Sequence, residues 1–201
     1  MADKIVREIY KNKDADELTK LLAEPQGKLE TGSGAALTAA TAAAFLLRAA
    51  AGTGESVKDN ERLEYITRNA EVLRTYMVHL IDEDVKSRGP LNRAVKEGGA
   101  REIEAARHPA MNICGEIVNM MGKCFDFANE LADFCAPEYR HYLAACADTA
   151  MAAAKSAVRY LLYMAAACSD ETYRFVTRRE NEINLGQMQQ TYDAIIEKTA
   201  E

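Results

Sequence analysis

The chain of 201 residues is 48% hydrophobic and 28% charged, which excludes the low-hydrophobicity, high-charge composition of disordered chains and leaves enough apolar surface for a packed core. Its net charge of -6, with the basic residues scattered, lacks the clustered basic face that nucleic-acid or anionic-membrane partners call for, so neither partner is expected. At this length one domain over residues 1–201 can bury a substantial core without disulfides or metal.

Four prolines and eleven glycines interrupt a sequence dominated by alanine, leucine, glutamate, lysine and arginine, the composition of long helices. Strand signals are nearly absent. The expected fold is all-α: an antiparallel bundle of about six principal helices. Met1 to Tyr10 is charged and lacks the apolar core of a signal peptide. Asp14 is placed to cap a short helix to Ala23, and Glu24 to Gly34, with Pro25, Gly27, Gly32 and Gly34, reads as a loop.

A helix then runs from about Ser33 to Ala51. Ten of the seventeen residues from Ala35 to Ala51 are alanine, which lets neighbouring backbones approach closely, so this helix is expected at the centre. With Arg48 inside it, the run reads as too weakly apolar to span a bilayer. Gly52 and Gly54 are read as its end. Ser56 and Asp59 give a capping-box-like start to the next helix, which reaches about Arg88 before Gly89 and Pro90 stop it.

A polar stretch to Gly99 leads to a helix interrupted near His108 and Pro109, because proline disfavours helical backbone in the residue before it. The helix resumes to about Phe134. Pro137 opens another, to about Cys168, and Ser169, Asp170 and Glu171 start the last, which reaches the C-terminus. Its apolar positions, among them Val176, Ile183 and Met188, are sparse enough for a helix lying across the surface or in a subunit contact. That stripe, the alanine helix and the methionine-rich segment from Met111 to Met121 together predict a homodimer or larger assembly.

Five cysteines, Cys114, Cys124, Cys135, Cys146 and Cys168, form no Cys-x-x-Cys pair, which fits buried thiols in a reducing cytoplasm. His79 with Asp82 and Glu83, and Glu104 with His108, have helical ligand spacing, but the Glu-x-x-His pattern of di-metal bundles is missing, so no metal is expected. Asp82, Glu83 and Asp84 form an acidic cluster near the expected end of a helix, where the dipole would raise their pKa values. Such a carboxyl group suits proton transfer; the plainer reading is solvated surface charge. The Thr31-Gly32-Ser33-Gly34 turn offers backbone N–H groups at a helix start, without the lysine and spacing of a phosphate loop.

The order of these features resembles the cyclodeaminase/cyclohydrolase family. Gly32, Ser33, Ala35, Ala36 and Leu37 match its glycine turn and small-residue helix. Asp82 and Asp84 match its Asp-x-Asp motif, His108 and Pro109 its Val-Pro step, and Leu143, Asp148, Ala150, Ala152 and Ala153 its later Leu-x-x-x-x-Asp motif. The chain departs from the family at Leu29, Glu30 and Thr31, at Thr53 to Glu55, where lysines are expected and Lys58 is the nearest cation, and at Ala165 to Ala167.

The resemblance implies a folate-dependent one-carbon enzyme acting on a tetrahydrofolate C–N bond, either a methenyltetrahydrofolate cyclohydrolase or a formiminotetrahydrofolate cyclodeaminase. It implies Asp84 as the catalytic acid/base and Gly32, Ser33, Gly34, Asp82 and Asp148 as substrate-binding residues. Tetrahydrofolate would be the substrate, with no further cofactor. The alternative is a divergent, non-catalytic folate-binding or assembly protein on the same fold.

Overall fold

The computed structural model describes residues 9–57 and 60–200. Among them the chain forms six α-helices: α1 (Ala15–Ala23), α2 (Thr31–Ser56), α3 (Glu61–Glu97), α4 (Ala100–Ala132), α5 (Arg140–Ala165) and α6 (Glu171–Thr199). Short 3-10 turns lie at Tyr10–Asn12 and Pro137–Tyr139, and the described residues contain no strand. The short links between α3 and α4 and between α5 and α6 make these packed neighbours antiparallel. Two caps fall where the sequence places them: Asp14 accepts the Glu17 N–H at 2.8 Å, and Asp170 accepts the Tyr173 N–H at 3.0 Å.

Helix α2 is the centre of the bundle, packed against α3, α5 and α4. Ala36, Ala39, Ala42, Ala43, Ala49 and Ala50 are fully buried, and their small side chains admit the neighbouring helices. By length and composition, residues Thr31–Glu55 are apolar enough to cross a membrane, contrary to the expectation from the sequence, but half of the most apolar window is buried within the bundle. Leu46, Ile66, Met77, Leu80, Met121 and Phe125 fill the core around it.

Three expected breaks are helical instead. Pro90 and Pro109 lie on exposed faces inside α3 and α4. Each removes one backbone hydrogen bond, and the carbonyls left over, on the exposed residues Lys86 and Ala105, can be solvated. Leu91 packs on the core after the first proline, and Ala110 and Met111 are buried after the second. Burial of these flanking residues outweighs the lost bond. Gly52, read as the end of α2, lies within it because the Tyr139 ring packs where a side chain would be.

The start of α3 is capped by Asn60, whose Oδ1 accepts from Arg62 N at 3.0 Å and Leu63 N at 3.1 Å. Lys58, expected as a nearby cation, and Asp59, expected in the cap, lie outside the described residues. Substituting Gly52→Ala is expected to lower the unfolding free energy by about 1–3 kcal/mol, since the new methyl would overlap the Tyr139 ring. Denaturant unfolding checks this. An unchanged midpoint would mean that the ring moves aside at no cost.

Candidate functional site

The Asp-x-Asp pair does not end a helix; it lies in the middle of α3. Residues two apart on a helix point about 200° away from each other, so the two aspartates serve different neighbours. Asp82 faces the N-terminal segment, where its Oδ1 accepts the backbone N–H of Tyr10 at 2.7 Å and of Lys11 at 3.3 Å. Asp84 faces the start of α2.

Asp84 is wholly buried. Its Oδ2 accepts a hydrogen bond from Ser33 Oγ at 2.6 Å and pairs with Arg88 Nη2 at 3.3 Å, the i,i+4 neighbour on the same face of α3. Its Oδ1 has no hydrogen-bond partner. The carboxylate lies so close to Gly32 that a Cβ there would overlap Oδ1 and sit 2.7 Å from Cγ. A glycine at position 32 is therefore what lets the first turn of α2, the positive end of its dipole, close on the carboxylate.

Arg88 links Asp84 to the surface. Its guanidinium donates to Lys28 O at 2.5 Å and pairs with Glu30 Oε1 at 3.1 Å. Glu30 occupies the N-cap position of α2 but makes no side-chain cap, its carboxylate being turned to Arg88. Glu30 also lines an open groove of about 470 Å³ together with Leu22, Pro25, Leu29, Thr31, Gly34 and Ser156. Glu30 thus belongs both to the wall of the groove and to the ion pair with Arg88.

Two further groups feel the charges of this cluster. Burial and then the negative charge of Asp84 push the Cys114 thiol on α4 up to about 12. Burial first, opposed by Arg88 and helped by Glu30 and Asp84, pushes the Tyr160 phenol on α5 from 10.0 to about 12. Tyr160 therefore remains a hydrogen-bond donor at physiological pH. Because its folded-state value lies above 10.0, the protonated phenol contributes stability that is fully present below pH 10 and is lost as pH rises towards 12. The phenolate absorbance of Tyr160, read as the difference between wild type and Tyr160→Phe, is expected to appear only near pH 12. A phenolate already formed at pH 10 would contradict the buried position.

The structure thus gathers Asp84, Gly32 and Ser33 into one cluster and places Gly34 on the adjoining groove. It does not bring Asp82 or Asp148 there. Asp148 is exposed and accepts from Tyr192 Oη at 2.7 Å, tying α5 to α6. It lies twelve residues from Tyr160 on the same helix, about 18 Å along the axis. The raised pKa values expected of a carboxylate cluster at a helix end do not hold for Glu83. Its helix continues, and Lys86, bonded to it at 2.6 Å, holds its carboxyl below the usual value.

The sequence reading missed Arg88, Glu30, Cys114 and Tyr160, of which only Arg88 carried a signal, its four-residue spacing from Asp84. Of the metal pairs drawn from spacing, His79 pairs with Glu83 at 3.4 Å, whereas Glu104 binds Arg107 and the backbone of Ser169. Among the described residues no group of three or more histidine, cysteine or acidic side chains is arranged to hold a metal.

Comparison with known proteins adds two findings. The family model described as formiminotransferase-cyclodeaminase matches residues 14–184. The crystal structure of formiminotetrahydrofolate cyclodeaminase from Thermotoga maritima is similar with a TM-score of 0.87 and 20% identity, covering 94% of this chain and 96% of that one. At that identity the likeness concerns the fold. A comparison with curated proteins gave no match.

Proposed function

The chain belongs to the formiminotransferase-cyclodeaminase family, and from that premise we propose that it is an enzyme of folate-dependent one-carbon metabolism acting on a tetrahydrofolate C–N bond, with Asp84 as acid/base. The observation that carries the reading is the state of the Asp84 carboxylate. One oxygen is fixed by Ser33 and Arg88, and the other, Oδ1, is buried and unpartnered. A general base needs this arrangement: a fixed orientation and one oxygen free to take a proton.

In cyclodeaminase chemistry N10 attacks the formimino carbon at N5. The N10–C bond forms on the protonated formimino group, N10 gives its proton to Asp84, Asp84 passes it to the formimino nitrogen, and the bond from carbon to that nitrogen breaks, releasing ammonia and leaving the methenyl cation. In cyclohydrolase chemistry Asp84 takes a proton from the water that adds to the methenyl carbon and returns it to N5 as the C–N5 bond breaks, while the new hydroxyl loses its remaining proton to solvent and becomes the formyl group on N10. Gly32 and Ser33 hold the carboxylate, and the groove beside Glu30 and Gly34 admits the substrate once the Glu30–Arg88 pair parts. No cofactor besides the folate substrate enters this scheme.

A second reading, a non-catalytic folate-binding or assembly protein, is favoured by the zero exposure of Asp84 and its pairing with Arg88. Calorimetric titration with tetrahydrofolate alongside a turnover assay separates the two. Binding with turnover supports the enzyme, and binding without turnover on either substrate supports the second reading.

The enzyme is further proposed to be cytoplasmic, consistent with five buried free cysteines, and to form a homodimer. The alanine helix and Met111 and Met121 are used within the protomer's own core, which leaves the exposed Phe175, Val176 and Ile183 on α6 as the support for association. Light scattering at micromolar concentration tests this. A monomer would count against it.

A further inference from the structure

Both charged residues at the heart of the site keep a buried polar atom without a hydrogen-bond partner: Asp84 Oδ1 and Arg88 Nε. Buried polar groups are nearly always paired, and an unpaired one in a charged side chain is destabilising unless something else engages it. Asp84 Oδ1 is an acceptor and Arg88 Nε–H a donor, so together they are complementary to a ligand edge that presents a donor or reacting nitrogen beside an acceptor. Of the groups that hold Arg88, Asp84 is wholly buried and Lys28 contributes its backbone carbonyl. Glu30, 45% exposed on the wall of the groove, is the one a ligand can displace.

We infer that Arg88 is a specificity-determining residue that donates to the ring carbonyl of a 4-oxo pterin, with Glu30 as the carboxylate that holds its place in the free protein. The inference rests on the folate reading above and deepens it. In a tetrahydropterin the C4 carbonyl oxygen lies peri to N5, on the same edge of the ring system. A donor and a proton acceptor on the same helix face can therefore meet the carbonyl and the reacting centre at N5 together. The guanidinium has N–H donors and no acceptor. A ring with a 4-amino group instead would set donor against donor, and a site built for one hydrogen-bonding group rejects the analogue that lacks it.

The test is calorimetric titration of the full chain with folate and with aminopterin, its 4-amino analogue. Wild type is expected to favour folate by roughly tenfold or more. Arg88→Gln, whose amide can turn either a donor or an acceptor to the ligand, is expected to bind the two within about threefold of each other. Glu30→Gln, at a half-exposed position that does not endanger folding, is expected to bind folate several-fold more tightly, about threefold or more, with the preference kept, because Arg88 is released from its competing carboxylate.

Equal wild-type affinities, a preference that survives Arg88→Gln, or unchanged folate affinity in Glu30→Gln would each overturn the role of Arg88 while leaving the folate reading intact. Binding of neither compound by wild type would overturn the role of Arg88, and failure to bind tetrahydrofolate as well would overturn the folate reading itself. If Arg88→Gln fails to fold, the wild-type preference and Glu30→Gln decide.

Discussion

Asp84→Asn is expected to lower turnover roughly 10²–10⁴-fold, the range for loss of a positioned proton-transfer group. An amide keeps the shape of the side chain and can still accept the Ser33 hydrogen bond, but it cannot take a proton from N10 or from water. From the sequence alone, stability is expected barely to change if Asp84 is the acid/base and to change by less than about 1 kcal/mol if it is a solvated charge. The structure changes that expectation. Asp84 is wholly buried and neutralises Arg88, so the substitution is expected to cost about 1–3 kcal/mol of stability, with Glu30 still pairing the guanidinium. Steady-state kinetics on folded protein, with a denaturation curve beside them, separate the two effects. Wild-type turnover in Asp84→Asn would sink the assignment of Asp84.

Gly32→Ala is expected to reduce turnover by about 10²-fold, although residue 32 carries no functional group. Its new Cβ would overlap Asp84 Oδ1, the atom assigned to proton transfer. Something must shift, and a displacement of about 1 Å at a reacting group can cost 10²-fold in rate. The loss should appear in kcat more than in KM, because the substrate's binding contacts survive while the base is misplaced. Gly54→Ala, on the same helix but away from the site, is the comparison: its Cβ would meet only Leu63, at 3.7 Å, an ordinary contact. Equal kinetics in Gly32→Ala and wild type would show that the close approach to Asp84 has no catalytic consequence.

These expectations show which parts of the protein were legible in the sequence. Asp14 and Asp170 marked the starts of α1 and α6 because an N-cap acts locally, through its own side chain and a backbone N–H three residues on. The central place of α2 was legible because ten alanines in seventeen residues leave little but close packing as a use for that helix. The stops were misjudged at Gly52, Pro90 and Pro109 because their local preference competes with burial of residues far along the chain. No neighbour in sequence announces that Tyr139 will lie on Gly52.

The cluster around Asp84 was legible in part. The family resemblance pointed to Asp84, Gly32 and Ser33, which the fold brings together. It also pointed to Asp82 and Asp148, which the fold sends to the N-terminal segment and to α6. Helical geometry already separates Asp82 from Asp84 by about 200° and puts Arg88 on the face of Asp84, so that much was open to a reading through the helix. Glu30, Cys114 and Tyr160 come from three other parts of the chain, and only the packed structure reveals their nearness.

Turnover of a tetrahydrofolate C–N bond, as proposed, is read from methenyl absorbance with purified wild-type protein. The protein is supplied with 5,10-methenyltetrahydrofolate in one series and 5-formiminotetrahydrofolate in the other, with the spontaneous rate subtracted. Loss of the methenyl signal in the first series, or its appearance with ammonia in the second, is expected at a rate proportional to protein concentration. Rates equal to the spontaneous background in both series would contradict the proposed turnover.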